Sequence, residues 1–265
     1  MSRPRDWPAE LFDWLLPDTC LGCGRLRRRI GAPLGLCRAC HGRLVPVPPD
    51  SCATCARPLA GGRNLPLPRC GDCRQEPPPF ARLWALWRYQ PPLDGVMAGL
   101  KFHRLDHLGT ELAAAAASRL SPERDRWDLV APVPLHWRRR LERGFNQAER
   151  IARPLAARLG LPAGTPLRRL RATRPQVSLP RAERLRGPRS AFALRRGAAV
   201  TGLRILLVDD VLTTGATLRA AAAALRRGGA AVEALALAVT PGPGDPSRAG
   251  AGRAPLHPLA HSSKV

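Results

Sequence analysis

An aliphatic run, Ile205-Leu206-Leu207-Val208, stops at the paired carboxylates Asp209 and Asp210. A run without polar alternation predicts a strand covered on both faces, as in the middle of a parallel sheet. Beyond it, Thr213-Thr214-Gly215-Ala216-Thr217 reads as a tight loop, and Ala and Leu then recur at helical spacing to about Arg227. Three more strands are predicted: Leu83 to Tyr89, Asp128 to Leu135 (ending in proline and expected beside the Asp-Asp strand), and Ala230 to Val239. Helical patterns run from Gly109 to Leu120 and from the Asn146-Gln147 pair to about Leu159, with Asn146 suited to cap the second. Strands alternating with helices predict an α/β fold with a mostly parallel sheet.

The first eighty residues break this pattern. They carry all eight cysteines as four C-x-x-C pairs: Cys20 and Cys23, Cys37 and Cys40, Cys52 and Cys55, Cys70 and Cys73. Two such knuckles a dozen residues apart make a four-cysteine zinc ribbon, and the spacing occurs twice. Two structural Zn²⁺ ions are expected, one on each successive set of four; interleaved pairing stays open. Disulfides, an iron–sulfur cluster and redox C-x-x-C motifs are the competing readings. A module with so little apolar core would draw its folding energy from metal.

The Asp pair asks for a ligand, because adjacent carboxylates at a buried strand end are costly alone. Open α/β sheets bind ligands beyond the carboxyl ends of their strands. The Thr/Gly loop opens a helix, whose free N–H groups and positive dipole end attract an anion. A phosphate on the loop, with hydroxyls or a metal on the carboxylates, describes a phosphorylated sugar. A nucleotide-binding strand of the Walker type would need a G-x-x-x-x-G-K-[ST] loop, yet the only lysines are Lys101 and Lys264. A phosphoryl-accepting receiver would place its acidic pair near the start of its domain. A purely structural strand, loop and helix is the remaining alternative.

Charge adds a partner class. The formal net charge is +23, carried almost wholly by arginine, and ten Arg face a single acid between Arg168 and Arg196. A polyanion, whether single-stranded nucleic acid or pyrophosphate, is the expected partner, and a solvated basic face is the alternative. No apolar run reaches the ~18 residues of a membrane span. The first sixteen residues, with Asp6, Glu10 and Asp13, read as an amphipathic helix rather than a secretory signal, which implies a cytoplasmic protein. The Pro/Gly-rich stretch after Pro241 reads as a disordered tail.

The run from Val208 to Thr217 resembles the phosphoribosyl-pyrophosphate (PRPP) signature of type I phosphoribosyltransferases, and Cys20 to about Thr240 resembles the ComF family of DNA-uptake proteins. The resemblance implies a double zinc ribbon over 18–78 behind an N-terminal segment 1–17, a phosphoribosyltransferase-like domain over 79–240, and a tail over 241–265. It also implies PRPP with Mg²⁺. Asp209 and Asp210 would be the catalytic pair on the ribose hydroxyls, and Thr213, Thr214, Gly215, Ala216 and Thr217, flanked by Val208 and Val211, would hold the 5-phosphate. Pro134 would lie at the same sheet edge. Arg143, in Arg-Gly-Phe-Asn-Gln, and Lys101, in Leu-Lys-Phe, occupy family positions beside that edge, Lys101 facing phosphate or solvent. Where the family has Arg-x-x-Asn in its mobile loop, this chain has Arg184-Leu-Arg-Gly187. The implied function is a phosphoribosyltransferase of unspecified acceptor, working with competence proteins. The alternative is a non-catalytic single-stranded DNA binder with a ligand-sensing or vestigial PRPP site.

Overall fold

The computed structural model describes residues 18–27, 33–59, 68–102, 105–135, 144–170 and 191–240. The expected N-terminal helix, Arg143 with its neighbouring arginines, most of the basic loop and the tail lie outside the described residues. In chain order the elements are β1 (Asp18–Thr19), β2 (Leu26–Arg27), α1 (Arg38–His41), α2 (Gly71–Gln75), β3 (Leu83–Arg88), α3 (Leu93–Phe102), α4 (Asp106–Leu120) and β4 (Leu129–Pro132). They continue with α5 (Gln147–Leu159), β5 (Leu167–Arg169), β6 (Phe192–Leu194), β7 (Arg204–Leu212), α6 (Ala216–Arg227) and β8 (Ala231–Val239).

Four strands form one parallel sheet in the order β3-β8-β7-β4. β7 is interior and its Ile205 to Val208 are completely buried, as the unalternating run predicts. β4 lies beside it, Pro132 opposite Val208, and is shorter than expected because the chain leaves the ladder after Pro132. Val133 N–H still donates to Val208 O at 2.8 Å, and Pro134 then has no N–H to carry the ladder further.

Helices cover both faces. Leu93, Val96, Met97 and Leu100 of α3 are buried at i, i+3, i+4 and i+7, and with α4, α5, Leu206 and Val208 they fill one core. Leu218, Ala221, Ala222 and Leu225 of α6 repeat that spacing against Ile205 and Leu207 on the other face. The α4 helix begins at Asp106, a few residues before the Ala-rich stretch that announced it. The segment around Pro46 closes the outer edge of β3, with Val47 N–H donating to Leu86 O at 2.9 Å and Arg88 N–H to Val45 O at 2.8 Å. An edge strand covered in this way cannot template pairing with another chain.

The cysteine module is joined to this body rather than strung beside it. Leu34, Leu36, Cys20 and Cys40 belong to the same buried cluster as α3 and α4. The Leu34 N–H also donates to Glu111 of α4. The second four cysteines form a small cluster of their own, packed by Leu59.

Candidate functional site

Two sets of four sulfurs come together, each within 4.8 Å of one another: Cys20, Cys23, Cys37 and Cys40, then Cys52, Cys55, Cys70 and Cys73. Pairing is therefore successive, not interleaved, and all eight thiols are free of disulfides. Cys23 Sγ lies 3.9 Å from Cys37 Sγ, and Cys55 Sγ 3.7 Å from Cys70 Sγ. A tetrahedron with metal–sulfur bonds of ~2.3 Å has edges of about 3.8 Å, so the donor sets fit zinc. Backbone N–H groups aim at the sulfurs, from Cys37 to Cys20 Sγ at 3.2 Å and from Cys70 to Cys52 Sγ at 3.3 Å, which suits thiolates. The Cys52 thiol is held far below its ordinary range by hydrogen bonds from Cys55 and Cys73, while the bond to Cys52 pushes Cys55 up.

The second centre is the carboxyl end of β7. The strand continues past the acidic pair to Leu212, which pairs with Val239, rather than ending at the pair as expected. Alternation nevertheless slips there. Leu206, Val208 and Val211 pack on one face and Ile205, Leu207 and Leu212 on the other, and Asp210 makes no ladder pair with β8. The register with β8 runs unbroken across it, Asp209 opposite Ala236 and Val211 opposite Ala238, so no residue is inserted. Asp209 Oδ1 accepts from Asp210 N–H at 2.9 Å, and Asp210 Oδ1 from Val211 N–H at 2.8 Å.

Among the described residues one cation serves the pair. Lys101, on the last turn of α3, places Nζ 3.0 Å from Asp210 Oδ2. Burial, followed by the charge of Asp210, pushes the Asp209 carboxyl up to about 8, with the Asp210 N–H and Lys101 pulling the other way. A half-buried carboxylate of that kind, with a like-charged neighbour, marks a site that needs a further cation or donor. Two hard oxygen donors beside a hydroxyl-rich loop suit Mg²⁺, which takes few carboxylates and keeps its waters.

After Leu212 the chain turns through Thr213 and Thr214 to Gly215, the N-cap of α6, at φ 75° and ψ 0°. That left-handed conformation is the reason for glycine at this position. Thr213 and Thr214 are exposed, and Thr217 sits in the first helical turn. Val208 is completely buried and Val211 packs on the core, so only their backbones remain for a ligand. Thr240 pins the start of the turn, its N–H and Oγ1 both donating to Leu212 O, at 2.9 and 3.2 Å. No local pattern in the sequence announces that role.

At the end of β4, Asn146 does two jobs. Its Oδ1 accepts from Ala148 N–H as a helix cap at 3.2 Å, and its Nδ2 donates to Val133 O at 3.0 Å, fixing the strand's exit. The capping was expected and the strand contact was not. Pro134 and Asn146 line a cleft of about 170 Å³ with Arg168, Arg169 and Arg195, an anion-suited wall beside the acidic edge. Strand β5 supplies Arg168 and Arg169 and Arg195 follows its antiparallel partner β6, in a region where sequence periodicity showed nothing.

A double zinc ribbon domain model matches residues 11–74 and a phosphoribosyl transferase domain model residues 144–254. The chain is 38% identical to the DNA utilization protein YhgH of Salmonella typhi over 74% of this chain and 86% of that one. It is 27% identical to competence protein F of Haemophilus influenzae, over 73% and 85%. Among solved structures, adenine phosphoribosyl transferase from Trypanosoma brucei superposes with a TM-score of 0.39 at 11% identity, covering 68% of this chain and 92% of that chain. Among the described residues no helix is long and apolar enough to cross a membrane.

Proposed function

We propose, from the premise that the chain belongs to the ComF family of double-zinc-ribbon proteins with a phosphoribosyltransferase domain, that it binds PRPP at the carboxyl edge of its sheet and transfers the phosphoribosyl group. The carrying observation is the pair Asp209 and Asp210, with Lys101 bonded to Asp210 and the Gly215 turn following at once. In this reading the turn from Thr213 to Thr217 takes the 5-phosphate on backbone N–H groups at the start of α6. Asp209 and Asp210 orient the ribose hydroxyls, and Lys101, Arg143 and the arginines near Pro134 face pyrophosphate. When bound, Mg²⁺ supplies charge neutralisation on the pyrophosphate oxygens.

The reaction breaks the bond from C1 of the ribose to pyrophosphate, whose oxygen leaves with the electron pair. A bond from the acceptor's nucleophile to C1 replaces it, and the acceptor's proton passes to solvent. The sugar resembles an oxocarbenium ion at the summit, so nearby carboxylates and ordered arginines contribute by placement and electrostatics. A cytoplasmic location follows from the same reading.

Calorimetry with PRPP and Mg²⁺ tests the proposal. The wild-type chain should bind, and Asp209→Asn with Asp210→Asn should weaken binding at least about a hundredfold; equal affinity in the double variant would sink the assignment. The names of the relatives and the +23 charge favour a second reading, in which single-stranded DNA is the main ligand and PRPP is a sensed effector. There the same double variant keeps its DNA affinity, and no base acceptor releases pyrophosphate.

A further inference from the structure

We propose that the first cysteine ribbon positions Lys101 in the acidic site, through Leu21 seated on two glycines of α3; this rests on the PRPP reading of that site. Leu21 lies inside the first knuckle, between Cys20 and Cys23, and its N–H donates to Gly35 O at 2.9 Å. Its backbone carbonyl is pressed against Gly95, where any Cβ would collide with it. One turn further along, a Cβ on Gly99 would lie 3.2 Å from Leu21 Cδ1. From the other side, a Cβ on Gly35 would stand 2.6 Å from the same atom, and one on Gly22 2.5 Å from Pro92 Cβ. Knuckle and helix therefore meet backbone to backbone at Gly95, a Cβ has no room at Gly22, Gly35 or Gly95, and one at Gly99 would fit only tightly.

This fit has a consequence at the far end of the helix. Six residues separate Gly95 from Lys101, about 9 Å of rigid rise. The seat of the knuckle thus sets where the Lys101 ammonium arrives. It arrives 3.0 Å from Asp210, with the two side chains only 22% and 17% exposed. The Leu34 N–H bond to Glu111 ties the same ribbon to α4, so the seat is held at two places. Unseating the knuckle withdraws the Lys101 ammonium from a pair of adjacent carboxylates and turns the pocket more negative towards a polyphosphate. Among the described residues the second ribbon meets other elements, the edge strand with Leu83 N–H donating to Ala53 O at 2.6 Å and α6 with Arg219 Nη1 donating to Glu76 O at 3.4 Å.

The full chain suits a direct test, because it holds only two lysines, Lys101 and Lys264. With lysines isotopically labelled at Cε and Nζ, and Lys264→Arg for assignment, the Lys101 resonance reports its contact with Asp210. Leu21→Ala loosens the seat without a clash, and Gly95→Ala forces it apart. Zinc content per chain shows whether each variant keeps both clusters. Both variants should move the Lys101 resonance to the position of a free lysine and weaken PRPP binding about tenfold. Gly71→Ala in the second ribbon, where a Cβ meets no atom within 4 Å, should do neither. Lys101→Arg should retain most of the affinity that Lys101→Met loses. An unmoved Lys101 resonance in zinc-replete Leu21→Ala overturns the coupling, whatever PRPP does. If the wild-type chain does not bind PRPP, the ligand reading fails instead, and the resonance alone decides whether ribbon and lysine are linked.

Discussion

The two edges of the parallel sheet treat their acids in opposite ways. At the amino edge, Glu233 near the start of β8 accepts from both Trp84 Nε1 and Trp127 Nε1, at 2.7 and 3.3 Å, on one oxygen. Its other oxygen takes Arg126, at 3.2 Å from Nε and 2.5 Å from Nη2. The two indoles pack edge to face with centroids 5.8 Å apart, and the Arg82 guanidinium lies 3.7 Å over Trp84. Just before β4, Asp128 is gripped by Arg204 with the side chain at 2.6 Å and the backbone N–H at 2.8 Å. At the carboxyl edge, among the described residues, two neighbouring acids have one lysine between them and lean on their own backbone. Satisfied acids stabilise a fold, while under-compensated ones are kept for a ligand.

Glu233→Gln should produce the largest change. An amide offers one accepting oxygen where the carboxylate offers two, and its NH₂ must face either the indole donors or Arg126. We expect a loss of about 3 kcal/mol in urea unfolding, with little effect on any ligand at the opposite edge. A neutral outcome would mean that the indoles and Arg126 find other acceptors, and the contrast between the edges would dissolve.

Asp209→Asn should act with the opposite sign. The folded carboxyl titrates at about 8 and the unfolded one near its ordinary 3.8, so the folded chain holds an extra proton between those values. That contribution to stability is complete below the unfolded value and is lost as pH rises through the folded one. With zinc retained and no PRPP or Mg²⁺ present, the wild-type chain should therefore weaken between pH 5 and pH 8. The variant should lack that slope and be more stable at pH 8 by about 2 kcal/mol. Parallel pH profiles would show that Asp209 is no more strained than its counterparts at the other edge.

Much of this arrangement was legible in the chain, and what was missed has a common cause. The buried run of β7, its neighbour β4, the four cysteine pairs and the Asn146 cap are all written within a dozen residues of themselves. Local pattern suffices for each. Glu233 sits in an apolar strand with nothing beside it to mark it, because its partners are more than a hundred residues away in sequence. Lys101 and Asp210 are equally remote, so the sequence supported phosphate and solvent equally as the lysine's partner. The slip in alternation at Asp210 was invisible because the hydrophobic run gives way to aspartates there. The strand pair β5 and β6 is too short for periodicity to show. The seat of Leu21 depends on glycines, whose pattern says only that room is needed and not for what.

Asp128→Asn is the smallest test and the sharpest check on sign. Hydrogen bonds from the Arg204 side chain and backbone hold the Asp128 carboxyl down at about 2, against an ordinary value of 3.8. A depressed carboxyl contributes stability above its unfolded value and loses it as pH falls through the folded one. The pair is exposed to solvent, so screening keeps the effect small, a fall of about one or two degrees in Tm at neutral pH. The gap between variant and wild type should narrow as the buffer is taken below pH 4, and high salt should shrink it at any pH. Asp128 and Asp209 thus predict opposite slopes from one residue type on neighbouring strands of one sheet. If the two variants gave slopes of the same sign, the division between a stabilising edge and a ligand edge would have no basis in charge, and the case for a binding site at Asp209 would rest on the loop geometry alone.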